Sequence, residues 1–320
     1  MRKKMLAIIL IVASVLVVLF LAGPRVKVDF QPSKVVLPED LDQYLTQSES
    51  QYSDIVPGTE KTIIWANDTK SKTPLSIIYF HGYSATRQET VPLSDQLAAR
   101  LGANLFYTRL SGHGRTGDAM TEPSVNDWFN DALEALEIGK RLGDEVIVIG
   151  TSTGGTLATW LAEQPDTDEV LAYVMISPNF APRDSNSEIL TLPWAEQFTP
   201  ILLGQEYSWT PQNDDHARYW THSYSSTALV TMMTFVKYIR ESDLESITKP
   251  VLVIYSPNDQ VINPKQVELA YSRIGSEVKQ LNPIEQSGNP ENHVLAGDIL
   301  APQNTQVVEN IIFEFISELE

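Results

Sequence analysis

Residues 145 to 163, EVIVIGTSTGGTLATWLAE, place the tightest local constraint on how this chain can fold. An apolar, mostly β-branched run ends in Gly150-Thr151-Ser152-Thr153-Gly154-Gly155, and residues that favour helix follow at once. Apolar side chains on consecutive positions suit a strand buried on both faces. A strand that turns sharply into a helix needs small residues two positions either side of the turn, so that the chain segments can pass closely. Gly150 and Gly154 occupy those positions around Ser152. A serine held this way has a strained backbone and lies at the positive end of the following helix, where the Thr153 amide can donate to a developing oxyanion. G-x-S-x-G alone occurs by accident in many chains; the strand before it and the helix after it are the context in which the serine becomes a nucleophile.

The same pattern recurs along the chain. Short apolar runs rich in β-branched or aromatic residues stand at 62–66, 75–82, 104–110, 145–150, 170–177 and 250–256. Helical patterns separate them. In SVNDWFNDALEALEIGKRLG, Trp128, Ala132, Leu136 and Gly139 share one face, and Ser124 with Asp127 forms a capping box. In NPKQVELAYSRIG, Asn263 is the N-cap, Pro264 the first helical residue and Gly275 the stop. The final helical pattern, TQVVENIIFEFISEL, follows from 305. Strand and helix in alternation predict an α/β fold with a mostly parallel central sheet and helices on both faces. The pattern lapses over 181–245, which is rich in aromatic residues, including Trp194, Trp209, Trp220 and Phe235. This block reads as a cap inserted into a core formed by 62–180 and 246–320, its aromatics mainly forming its own interior.

Residues 1–23 differ from the rest. Arg2, Lys3 and Lys4 precede an uncharged run from Met5 to Gly23, about the 17 to 25 residues that span a bilayer as a helix. A cleaved signal peptide shares these features, but Ala22 and Gly23 lead straight into Pro24 without an A-x-A pattern, which favours an uncleaved anchor. Either reading exports the remaining chain, with the basic flank left on the cytoplasmic side. Residues 24–61 read as a tether and N-terminal extension, with one short amphipathic candidate in PEDLDQYLTQSES.

The chain has no cysteine, which excludes disulfides, thiolate metal sites and a catalytic thiol. Setting aside Arg2, Lys3 and Lys4 leaves 20 of the 23 basic residues against all 41 acidic ones. Such a surface repels phosphate backbones, so nucleic acid is not an expected partner.

A serine nucleophile needs a base of near-neutral pKa, in practice a histidine oriented by a carboxylate. Of His81, His113, His216, His222 and His293, the last lies in a loop before the final helix, 34 residues after Asp259, which follows a buried strand. The resulting chain order, Ser152, Asp259, His293, is the one an α/β-hydrolase requires. His81 and Gly82 end a strand, which puts the Tyr83 amide in position as a second oxyanion donor. His113, between glycines, reads as structural. His216 and His222 read as solvated surface rather than metal ligands, and Asp298, a rival acid, as a capping or solvated residue.

With FHGYS, RLSGHGR, GTSTGG, SPNDQVI and NHVLAGD in place, the chain resembles the serine α/β-hydrolase superfamily, in particular bacterial carboxylesterases and monoacylglycerol lipases, over roughly residues 62 to 320. The resemblance implies Ser152 as nucleophile, His293 as general base and acid, Asp259 behind it, and the Tyr83 and Thr153 amides as the oxyanion hole, with no cofactor and no metal. Thr151 and Thr153 depart from the bulkier or more apolar pair such lipases often carry, and the anchor is an addition. The expected reaction is hydrolysis of a carboxylic ester, small-molecule or lipid, through an acyl-serine. Amide or peptide hydrolysis and acyl transfer use the same three residues, and a membrane-tethered binding module that has lost its chemistry is a reading of another class.

Overall fold

Seven strands form the central sheet in the order β1-β3-β2-β4-β5-β8-β9. They are β1 (Thr62–Ile64), β2 (Thr73–Phe80), β3 (Asn104–Tyr107), β4 (Gly143–Thr151), β5 (Val170–Ile176), β8 (Val251–Tyr255) and β9 (Lys279–Pro283). The computed structural model describes Arg2 to Leu319. Edge strand β1 runs antiparallel to β3, and every other pairing in this sheet is parallel. The helices are α1 (Arg2–Leu21), α2 (Leu41–Glu49), α3 (Leu93–Leu101), α4 (Val125–Leu142), α5 (Thr153–Ala162), α6 (Ala195–Leu203), α7 (Asp214–Tyr219), α8 (Ala228–Arg240), α9 (Pro264–Arg273) and α10 (Thr305–Ser317).

Side chains alternate across the pleat, and both faces are covered. Ile77, Tyr79, Ile147, Ile149, Val174 and Ile176 share a core with Leu97 of α3 and with Val308 and Phe315 of α10. Ile78, Phe80, Val146, Val148 and Met175 share the other with Phe129 of α4, Trp160 of α5 and Phe235 of α8. This double burial is why the strand sequences are apolar on successive positions. The Ser124–Asp127 capping box starts α4, and Asn263 caps α9 with Pro264 in its first turn. Strand β9 was not anticipated: KQLNP lies half-exposed at the sheet edge, so its side chains carry no apolar run.

Between β5 and β8 the chain passes through α6, α7, α8 and a two-stranded antiparallel pair, β6 (Glu206–Ser208) with β7 (Ser223–Ser225). This pair departs from the strand-free reading of the segment; each strand has three residues, too few to leave a periodic signal. Trp220, Tyr224 and Phe235 are buried, whereas Trp194, Tyr207 and Tyr238 are exposed.

The segment read as a tether is held against the core. Phe30 meets Phe129 and Trp160 edge-on at 5.6 and 5.1 Å. The Gln31 and Ser33 amides donate to the side-chain oxygens of Asn126 and Asn130 on α4, both at 2.7 Å. Helix α2, capped by Asp40, buries Leu41 and Leu45. Its last residue, Glu49, accepts a two-pronged ion pair from buried Arg109, with Nε at 2.8 Å and Nη2 at 2.9 Å. Scattered apolar residues in a polar stretch suffice to dock it, because Val26, Val28, Phe30, Leu37 and Tyr44 pack against the core.

Candidate active site

The turn from β4 into α5 is as tight as its glycines suggest. A Cβ on Gly150 would lie 2.3 Å from the Gly154 carbonyl oxygen, and one on Gly154 would lie 2.1 Å from the Phe80 carbonyl oxygen. Only hydrogen fits at either position. Ser152 takes φ 52° and ψ −120°, a conformation that L-residues adopt at a cost of order 1–3 kcal/mol unless their surroundings impose it. Its amide donates to Ile176 O at 2.8 Å and its carbonyl accepts from Asn179 N at 3.0 Å, so the neighbouring strand end locks the turn.

His293 Nε2 lies 2.9 Å from Ser152 Oγ, and His293 Nδ1 lies 2.7 Å from Asp259 Oδ2. Asp259, fully buried just after β8, is oriented through its other oxygen, which accepts from the amides of Val261 and Ile262 at 2.7 and 2.9 Å. The His293 backbone is tied down by Ser177, whose hydroxyl donates to its carbonyl at 2.8 Å. Burial of the imidazole lowers its pKa, but the Asp259 carboxylate, by charge and hydrogen bond, outweighs this, with Glu89 and Glu291 adding to it. The net position is above the ordinary histidine value. An alcohol bonded to such a ring can pass its proton to Nε2 as it attacks, while the carboxylate stabilises the imidazolium.

Tyr83 and Thr153 border this centre, and among the described residues no acceptor of the chain takes either backbone N–H. Thr153 Oγ1 accepts from Asn179 Nδ2 at 3.4 Å, and Thr151 Oγ1 accepts from the Tyr79 hydroxyl at 3.0 Å, so both threonines tie the turn to the ends of the strands on either side. Beside Thr153 lies a small apolar cavity of about 10 Å³ lined by Tyr83, Leu110, His113, Trp128, Leu157 and Phe235.

A family model described as serine aminopeptidase, S33, matches residues 72–287, which contain both Ser152 and Asp259. The chain belongs to that family of serine α/β-hydrolases. Among its relatives, a thermostable monoacylglycerol lipase of Bacillus sp. (strain H-257) is 25% identical over 215 residues, 65% of this chain and 80% of that protein. A carboxylesterase of Bacillus subtilis (strain 168) is 21% identical over 246 residues, 77% of this chain and 93% of that protein. In fold, the chain is similar to a structure from work on LipS and LipT, two metagenome-derived lipolytic enzymes (TM-score 0.67, 22% identity, 82% of this chain and 99% of that one). It is also similar to a soluble variant of monoglyceride lipase from Saccharomyces cerevisiae (TM-score 0.63, 14% identity, 83% and 97%).

Within this α/β-hydrolase frame the remaining histidines fall elsewhere. His81 is buried and accepts from the Leu110 amide at Nε2, 3.1 Å away; burial and neighbouring His113 hold its pKa well below the usual value. His113 is buried in the aromatic cavity wall with its pKa pushed down by burial to about 4, and its Nδ1 lies 3.0 Å from Ser111 O. His216 corrects the solvated-surface reading: it is buried between Trp209 and Trp220, each ring centroid 4.7 Å away, and burial lowers its pKa to about 4. Neutral, it accepts from the Gln212 amide at 3.2 Å. Asp298 is exposed, its amide bonded to Val91 O.

One site residue carried no mark in the sequence. Glu89, in the polar stretch ATRQET, is fully buried next to the turn. Its Oε1 accepts from Gly82 N at 2.6 Å and from the Tyr79 hydroxyl at 2.8 Å. Oε2 and Ser152 Cβ lie 3.0 and 3.2 Å from the point a Gly82 Cβ would occupy, so the carboxyl sits directly behind the strand end that presents Tyr83. Burial pushes its pKa up to about 8, against the lowering effect of its hydrogen bonds and of His293.

Proposed function

We propose that this protein hydrolyses carboxylic esters through an acyl-Ser152 intermediate. The observation that carries the reading is the continuous hydrogen-bonded chain from Ser152 Oγ through His293 to buried Asp259, on a backbone turn strained at the serine. Ser152 attacks the ester carbonyl as His293 Nε2 takes its proton; the Tyr83 and Thr153 amides receive the negative charge that develops on the carbonyl oxygen. His293 then returns the proton to the leaving alcohol. Water, deprotonated by the same ring, attacks the acyl-serine, which releases the carboxylic acid and restores the hydroxyl.

The apolar side chains that line the small cavity beside Thr153 support an ester whose acyl group is apolar, with the segment 181–245 as the cap over the site. The two Bacillus relatives, a monoacylglycerol lipase and a carboxylesterase, support an ester as the substrate. Helix α1, long and apolar enough to cross a membrane, supports anchoring with the catalytic part on the exported side, where lipid esters are at hand.

Fluorophosphonate labelling tests this. The wild-type chain reacts, and Ser152→Ala abolishes labelling; persistent labelling of that variant means that another residue is the nucleophile. The family description, serine aminopeptidase, favours amide hydrolysis as a second reading. A panel of aryl esters and peptide amides at equal concentration separates the two, with faster turnover of the esters expected.

A further inference from the structure

Helix α1 ends beside the cap. Its 20 residues span about 30 Å at 1.5 Å per residue, the thickness of a bilayer's hydrocarbon core. At its C-terminal end Trp194 bonds both to the last turn and to the segment that follows it. The Trp194 backbone N–H donates to Pro24 O at 2.8 Å, and its indole N–H donates at 3.2 Å to Phe20 O, a last-turn carbonyl that also accepts from the Gly23 amide at 3.0 Å. Trp194 holds φ 67°, a left-handed conformation that a bulky residue keeps only where its surroundings enforce it.

Helix α6 starts at the next residue. Only Ala195 and Thr199 are buried, and its single charge is Glu196 in the first turn. Ile201 is 82% exposed, Leu202 56% and Leu203 45%, and Leu192, Trp194 and Tyr207 beside them are also exposed. A large aliphatic and aromatic patch uncovered in water marks an interaction surface. A half-exposed indole at the exit of a spanning helix matches the aromatic belt of membrane proteins, its ring among headgroups and its N–H satisfied.

We infer that this face of the cap, Leu192, Trp194, Ile201, Leu202, Leu203 and Tyr207, docks on the surface of the bilayer that α1 crosses, with Trp194 as the latch between anchor and cap. The inference rests on the membrane-anchored reading above. The acidic balance of the chain disfavours attraction to anionic headgroups, and apolar insertion among neutral lipids is the contact this patch makes.

The full chain contains no cysteine, so single-cysteine variants report cleanly. Ile201→Cys and Leu203→Cys, each labelled with an environment-sensitive fluorophore in phosphatidylcholine vesicles, are compared with Leu269→Cys on α9, an exposed position outside the patch. Fluorophosphonate labelling of Ser152 checks that each variant is folded. Nitroxide-bearing lipid is expected to quench the first two several-fold more than the third, and Trp194→Ala to reduce that difference. Equal quenching at all three positions, with the chain still in the vesicles after alkaline carbonate, overturns the docking while the anchor stands. Release by carbonate removes the anchor and the docking with it. Proximity between labels on separate copies without lipid quenching identifies a self-association face and overturns the proposal.

Discussion

Asp259 and Glu89 are both buried carboxyls within reach of the serine turn, and their surroundings give them opposite tasks. Asp259 accepts two amides and the imidazole, a set of donors that suits a carboxylate behind an ionising ring. Asp259→Asn is expected to lower kcat by about 10⁴-fold with the fold intact. In the wild type the acid limb of the kcat/KM profile lies above the ordinary histidine value, since His293 must lose its proton to act as base; in Asp259→Asn that limb moves down. Glu89 instead holds a proton up to about pH 8. The folded state then binds more protons than the unfolded one between the ordinary carboxyl pKa and about 8, so stability falls as pH rises through that window, by at most about 1.4 kcal/mol per pH unit. Glu89→Gln removes this dependence, and thermal midpoints of the two proteins followed across the window are expected to diverge in the variant's favour as pH rises. Ser152, Asp259 and His293 could be named from residue type and chain order. Glu89 could not, because ATRQET has the composition of a solvated loop.

At the scale of elements, the strands were legible where both faces are covered and obscure where they are not. Strand β4 announces itself by Val146 to Ile149, while β9 and the β6–β7 pair, half-exposed or three residues long, do not. Helix α2 shows what an amphipathic pattern leaves open: its apolar face was visible, its docking site was not. The Glu49–Arg109 pair fixes that site in the core. Glu49→Ala would leave the Arg109 guanidinium buried without its counter-charge, at a cost of about 3–5 kcal/mol. A clear drop in denaturant midpoint is expected, whereas substitution of the exposed Gln47 on the same helix leaves the midpoint near that of the wild type.

For the whole molecule, an excess of acidic residues makes self-repulsion a standing cost of the compact state. Raising ionic strength from about 10 to 150 mM shortens the range of that repulsion to about 8 Å and is expected to raise the thermal midpoint at neutral pH. A midpoint that falls with salt would instead mean that the ion pairs outweigh the net charge. Local pattern was sufficient for the strands buried on both faces, for the glycine-flanked turn and for the apolar N-terminal helix, because periodicity and backbone sterics act between neighbours in the chain. Packing alone buried Glu89 behind the strand end, enclosed His216 between two tryptophans and set Trp194 against the end of α1. Those outcomes depend on burial and proximity between segments tens to hundreds of residues apart, which no local pattern encodes.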